Sequence, residues 1–167
     1  IIRYSSISSV ALAIYKQNYC KNWKDLTPKL NEEMINFILA AKYGGRTEIF
    51  KPSGSAVNIY DINSMYPYIM LSKYPLGQPQ WKTKIFDKNK IFIADCKITT
   101  PLNGPGIPVL PYKDKTWGTI YPEGTWRGTY CADEILLALE NNYQVEIGKI
   151  LEFPKQENVF KDFVEKL

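Results

Sequence analysis

At Asp61 the character of the chain changes within one residue. Before it runs the β-branched and aromatic stretch Val57-Asn58-Ile59-Tyr60; after it come Ile62, Asn63 and Ser64, then Met65-Tyr66-Pro67. The first stretch reads as a strand over 56–61, joined through Pro52-Ser53-Gly54-Ser55 to a partner strand over 46–51. The second reads as a tight polar turn opening a helix over 63–72, because Pro67 is tolerated only in a helix's first turn. A strand that ends on a carboxylate and then turns leaves one acid at the mouth of a cleft. The amides of Asn63, Ser64 and Met65 then sit at a helix start, where N–H groups favour an anion. The competing reading is a capped helix with a core tyrosine.

Elsewhere the periodicity alternates between helix and strand. A serine-capped helix covers 8–20, with Val10, Leu12, Ala13 and Tyr15 as its apolar stripe. A second starts near Thr27-Pro28, carries Glu32 and Glu33 early and Leu30, Met34, Ile38 and Ala41 on one face, and stops at Gly44-Gly45. A strand over 90–99 turns Ile91, Ile93, Cys96 and Ile98 inward. Residues 100–128 are rich in Pro, Gly and Trp and predict short strands and tight turns. Ile107, Val109, Leu110, Trp117, Ile120 and Trp126 there call for burial. A helix over 132–142 has Asp133 and Glu134 in its first turn and Asn141-Asn142 at its end. A strand over 143–153 and a helix over 157–167, striped by Val159, Phe160, Phe163 and Leu167, complete an α+β fold with a mostly antiparallel sheet.

Composition narrows the chemistry. With 45% hydrophobic residues among 167 the chain can bury a core, and no apolar run reaches membrane-spanning length. It begins at Ile1 with no secretion signal, which reads as a segment of something longer. The three cysteines (Cys20, Cys96, Cys131) lack a paired spacing and read as free thiols, small and buried. There is no histidine, which removes His-based nucleophilic triads and His-ligated zinc; a metal would be held by oxygen, favouring magnesium or manganese. The net charge of +4 is mostly lysine, with Arg at positions 3, 46 and 127, and fits either a polyanion partner or an ordinary solvated surface. Lys82, Lys84, Lys88 and Lys90 divide in the same way. Trp117 and Trp126 read as base-stacking surfaces or as core, and Glu123, Asp133 and Glu134 as metal ligands or as helix-start acids.

Asp61-Ile62-Asn63-Ser64-Met65-Tyr66-Pro67 resembles the first catalytic motif of family B DNA polymerases, Asp-x-x-Ser-Leu-Tyr-Pro, with Met65 in place of Leu. Upstream, Lys42-Tyr43-Gly44-Gly45-Arg46 resembles the Tyr-x-Gly-Gly signature of protein-primed members, although here Tyr and both Gly are contiguous. Downstream, Tyr74-Pro75-Leu76-Gly77-Gln78-Pro79 resembles the Pro-x-Gly-x-Pro exit of the same palm segment. The tail with Phe160-Lys161-Asp162-Phe163 looks like the end of the insertion that meets the priming terminal protein.

The resemblance implies a polymerase palm segment over 1–99 and a terminal-protein-contacting α/β insertion over 100–167. It implies that Asp61 ligates two Mg2+ ions with help from the Ile62 carbonyl, and that Ser64 and the Met65 backbone contact the incoming triphosphate. Tyr66 would stack under the deoxyribose and exclude a 2′-hydroxyl, which fits an RNA-making enzyme less well. Tyr43, Gly44, Gly45 and Arg46 would hold template DNA; the plainer account of the glycines is a helix stop. The implied partners are template DNA, deoxynucleoside triphosphates, a terminal protein and the remainder of a polymerase chain, with no membrane. The family's second motif and its Asp-Thr-Asp are not among these residues, so this segment alone is expected not to polymerise DNA. The alternative is a non-catalytic remnant that acts as a binding or assembly protein. Richness in Ile, Lys, Asn and Tyr suggests AT-rich coding, as in a mitochondrial plasmid or a phage in its host's cytoplasm.

Overall fold

A computed structural model describes residues 6–83, 87–103 and 106–166; Arg3, Lys84, Gly104, Pro105 and Leu167 lie outside them. In chain order the elements are α1 (Ile7–Ile14), a π-helical turn (Tyr15–Tyr19), α2 (Trp23–Leu26), α3 (Glu32–Ala40) and α4 (Met65–Met70). There follow β1 (Tyr74–Leu76), β2 (Gln80–Thr83), β3 (Phe92–Thr99), β4 (Tyr112–Asp114), β5 (Gly118–Ile120) and β6 (Thr125–Cys131). The chain closes with α5 (Ala132–Glu140), β7 (Gln144–Glu152), β8 (Lys155–Glu157) and α6 (Lys161–Val164). The main sheet has the order β2-β7-β3-β6, and β1-β8 and β4-β5 form two further pairs. Every pairing is antiparallel, as the α+β reading expects. The main sheet interleaves β2 and β3, from before residue 100, with β6 and β7 from after it.

The core forms because β3 is covered on both faces. Phe92, Ala94, Cys96 and Ile98 are fully buried against Ile135 and Ala138 of α5, with Leu110, Tyr130 and Ile150 around them. Burial of each large apolar side chain contributes roughly 1.5–3 kcal/mol. On the other face Ile93 meets Ala41 and Phe153, with Phe37, Ile38 and Ile91 alongside. Alternation alone cannot reveal a second cover, so Ile91 and Ile93 lie on the opposite face from Cys96 and Ile98 rather than with them. Cys96 is buried, which pushes its thiol up to about 12 with help from the nearby Asp95 charge. Cys20 is buried too, but Cys131 is exposed, against expectation, because it stands at the start of α5.

Several boundaries differ from the sequence reading. α1 is capped by Ser6, whose Oγ accepts from the Ser9 amide at 3.2 Å. α3 starts at Glu32 rather than near Thr27, because Asn31 Oδ1 accepts from the Met34 amide at 2.9 Å. It ends at Ala40, where the Lys113 ammonium donates to the carbonyls of Leu39 (3.2 Å) and Ala40 (3.0 Å). A lysine from a distant strand thus satisfies the helix end, and Gly44-Gly45 lie beyond it. The expected hairpin of 46–51 with 56–61 does not form. Residues 47–69 are all exposed, Val57 at 75% and Ile59 at 93%. β-propensity needs a partner, and no strand among the described residues pairs with this stretch. In 100–128, Leu110 is buried and Val109, Ile120 and Trp126 are half-buried, but Ile107 and Trp117 are exposed. The terminal helix contracts to α6, because residues 155–157 pair with β1 instead.

Among the described residues Glu152 is the one buried charged side chain, and Lys82 (2.7 Å) and Lys90 (3.1 Å) both reach its Oε1. Both lysines are thereby paired within the protein. Burial alone would raise the Glu152 carboxyl, but the two lysines outweigh it and hold it below the usual carboxylate range. A depressed carboxyl adds stability that is complete above the unfolded value, about pH 4.3, and is lost as pH falls through the folded value. Glu152→Gln is therefore expected to flatten the acid limb of a stability-against-pH curve, measured by urea unfolding. The pair Lys82→Met and Lys90→Met, which strands the buried carboxylate, is expected to cost about 2–3 kcal/mol at neutral pH. An unchanged acid limb in Glu152→Gln would remove the triad from the account of stability.

Candidate functional site

The loop that carries Asp61 is built by α4 and held from behind. Tyr66 and Pro67 lie in the first turn of α4, where the ring of Pro67 costs no interior hydrogen bond. Ser64 precedes the helix in the left-handed region (φ 52, ψ 34), an uncommon conformation for a residue with a Cβ, and its carbonyl accepts from the Tyr68 amide at 2.9 Å. At the other end Asn158 Nδ2 donates to the Leu71 carbonyl at 2.6 Å, and Tyr74 meets Phe160 edge-on with ring centres 4.9 Å apart. The trailing end of α4 is tied to the C-terminal segment while its leading end stays open.

Around that leading end Tyr60, Asp61, Ile62, Ser64, Met65, Tyr66 and Pro67 line an open pocket of about 430 Å³. It contains every residue assigned from the sequence to the metal and nucleotide. Asp61 is exposed and enters no ion pair among the described residues, so its carboxylate is available to a ligand. Tyr66 is 76% exposed, which discards the reading of it as a core tyrosine. The Asp61 carboxylate, the Ile62 carbonyl and the Ser64 hydroxyl offer oxygen donors of the kind a hard cation takes. No group of three acidic or thiol side chains gathers among the described residues, and Asp61 is the one carboxylate lining this pocket.

Tyr43, Gly44, Gly45 and Arg46 form a second locus with no pocket residue in common with the first. Tyr43 is half-buried and stacks on Tyr130, ring centres 5.5 Å apart at 13°. Burial, chiefly, raises its phenol above its ordinary value and keeps it neutral. Gly44 and Gly45 are exposed, and a Cβ added to either would meet nothing within 4 Å. Arg46 donates through Nη1 to the Pro108 carbonyl (2.6 Å) and through Nε to Glu48 (2.7 Å), and its guanidinium lies 4.0 Å from the centre of Tyr121. Pro108, Tyr121 and Lys113 escaped the sequence reading because nothing in local spacing links them to residues sixty or more positions earlier.

The remaining candidates separate cleanly. Trp126 donates its indole N–H to the Tyr130 hydroxyl at 2.7 Å and packs on the core, whereas Trp117 is 79% exposed just ahead of β5. Glu134 accepts from the Cys131 amide at 2.8 Å, the helix-start role. Its carboxyl is raised, chiefly by burial.

All of residues 1–167 match the family described as DNA polymerase type B, organellar and viral. A "Probable DNA polymerase" of Podospora anserina is 32% identical over 169 residues, covering 97% of this chain and 13% of the relative. The DNA polymerase of Streptococcus phage Cp-1 is 32% identical over 125 residues, covering 68% of this chain and 22% of its own. Phi29 DNA polymerase, solved with primer-template DNA and incoming nucleotide substrates, matches with a TM-score of 0.74 at 22% identity, over 98% of this chain and 32% of that one. That likeness shows the fold. The chain therefore spans only a minor part of the length of each relative.

Proposed function

The chain belongs to the organellar and viral type B DNA polymerases, and we propose that it carries the nucleotide-side half of a DNA-directed polymerisation site in protein-primed replication. The observation that carries this reading is the open pocket in which Asp61, Ile62, Ser64, Met65 and Tyr66 converge. The Asp61 carboxylate and the Ile62 carbonyl would hold divalent cation, with Mg2+ the fitting choice for an oxygen-only donor set. When bound, such ions neutralise charge on the transferring phosphoryl group and on the attacking and leaving oxygens. Ser64 and the Met65 backbone, which line the pocket, would contact the triphosphate tail, and the exposed ring of Tyr66 would form the floor under the sugar. The Gly44-Gly45 backbone would approach template phosphate, since no part of the described fold occupies the space a side chain would take there.

The partners under this reading are template DNA, deoxynucleoside triphosphates, the rest of the polymerase chain and a terminal protein that offers the first hydroxyl. The relatives come from fungi and a streptococcal phage, which supports a plasmid or phage origin. One carboxylate cannot clamp two ions, so the 167 residues alone would not extend a primer. In the full-length polymerase, Tyr66→Val is expected to raise ribonucleotide incorporation relative to deoxyribonucleotide by roughly 10–100-fold, because removing the ring opens room for a 2′-hydroxyl. Steady-state competition between the two nucleotides measures it. Unchanged discrimination would place the sugar elsewhere.

A further inference from the structure

Arg46 is the natural residue to assign to a DNA phosphate, yet its guanidinium is already committed. Glu48 accepts from Nε at 2.7 Å and pairs with Nη2 as well, and the Pro108 carbonyl accepts from Nη1 at 2.6 Å. Tyr121 lies under the guanidinium plane at 4.0 Å and Phe50 at 5.2 Å. A cation neutralised by its own carboxylate and clasped to a carbonyl offers little net field to a phosphate.

The other flank of the two glycines is held by the same part of the chain. Tyr43 stacks on Tyr130, which is fully buried and donates its hydroxyl to the Pro111 carbonyl at 2.7 Å. The Lys113 ammonium sits 5.0 Å from the Tyr43 ring centre while it donates to the last carbonyls of α3. Contacts from 108–130 thus pin both neighbours of Gly44-Gly45, and the two glycines remain uncovered between them.

We propose that Pro108, Lys113, Tyr121 and Tyr130 form a bracket that positions the Gly44-Gly45 backbone, with Tyr43 and Arg46 as positioning residues and not phosphate ligands. This rests on the reading that Gly44-Gly45 approaches template DNA. It adds that the segment after residue 100 sets the aim of that contact, so whatever binds the segment can alter the grip on template.

The test is primer-template affinity of the full-length polymerase over a range of salt concentration. A lost phosphate contact lowers the slope of log K against log salt by about one, whereas lost positioning weakens binding and leaves the slope unchanged. Arg46→Met is expected to weaken binding about tenfold at constant slope. Arg46→Lys, which keeps the charge but loses the fork, is expected to fall equally. Tyr121→Leu is expected to reproduce the loss, and the double variant Arg46→Met with Tyr121→Leu to bind no worse than either single change. A slope reduced by about one in Arg46→Met, or wild-type affinity in Arg46→Lys or Tyr121→Leu, overturns the bracket. Gly45→Val separates the premise: unchanged affinity in that variant sinks the template reading and the bracket together. Weakened affinity there with a reduced slope in Arg46→Met sinks the bracket alone.

Discussion

Asp61→Asn in the full-length polymerase is expected to lower nucleotide incorporation by about 10³-fold or more while primer-template affinity stays near wild type. The substitution keeps the size and shape of the side chain and removes one negative charge. Asp61 is exposed and enters no ion pair among the described residues, so the folded state loses no partner for it. The stability cost is expected to stay within about 0.5 kcal/mol, the ordinary range for a surface change. Single-turnover extension and a thermal melt on the same preparation check the two halves together. Near-normal extension would show that the carboxylate is a surface acid. Lost extension with lost stability would show that it holds the loop rather than the chemistry.

The largest structural effect is expected at Gly128, in the middle of β6. A Cβ there would lie 2.5 Å from the Tyr130 Oη, 2.7 Å from Cζ and 2.8 Å from Cε2. That ring cannot swing aside. It is fully buried, and its hydroxyl is held between the Trp126 indole N–H and the Pro111 carbonyl, each at 2.7 Å. Gly128→Ala is therefore expected to destabilise the protein by about 2–4 kcal/mol, combining overpacking with a broken buried hydrogen-bond chain. For a chain of this size that lowers the melting midpoint by roughly 5–15 °C. Because Tyr43 stacks on Tyr130, primer-template affinity should fall in parallel. Pairing Gly128→Ala with Tyr130→Leu should recover part of the stability, since the smaller side chain vacates the collision. A melting midpoint unchanged in Gly128→Ala would show that Tyr130 is not locked.

What the residues disclosed by themselves follows from the range of the forces involved. Pro67 located the first turn of α4, and Asp133, Glu134 and Asn141-Asn142 bounded α5, because those are local backbone preferences. β3 and β7 were legible from alternation, but the face each residue occupies was not. Ile93 packs on Ala41 and Phe153 only because α3 folds over that face. The 46–51 and 56–61 stretches have strand composition and no strand, since a strand exists only with a partner and sequence cannot say where that partner lies. The pocket residues around Asp61 were legible because they are contiguous. The bracket around Gly44-Gly45 was not, because Pro108, Lys113, Tyr121 and Tyr130 reach it across the fold.

A structure of the loaded complex locates the cation. Full-length polymerase with a dideoxy-terminated primer, its template, the next deoxynucleotide and Mg2+ can be solved as a complex. Metal is expected about 2.0–2.1 Å from a carboxylate oxygen of Asp61 and from the Ile62 carbonyl, with the triphosphate along Ser64 and Met65 and the sugar against Tyr66. Metal and nucleotide seated elsewhere, with Asp61 still facing solvent, would contradict that placement.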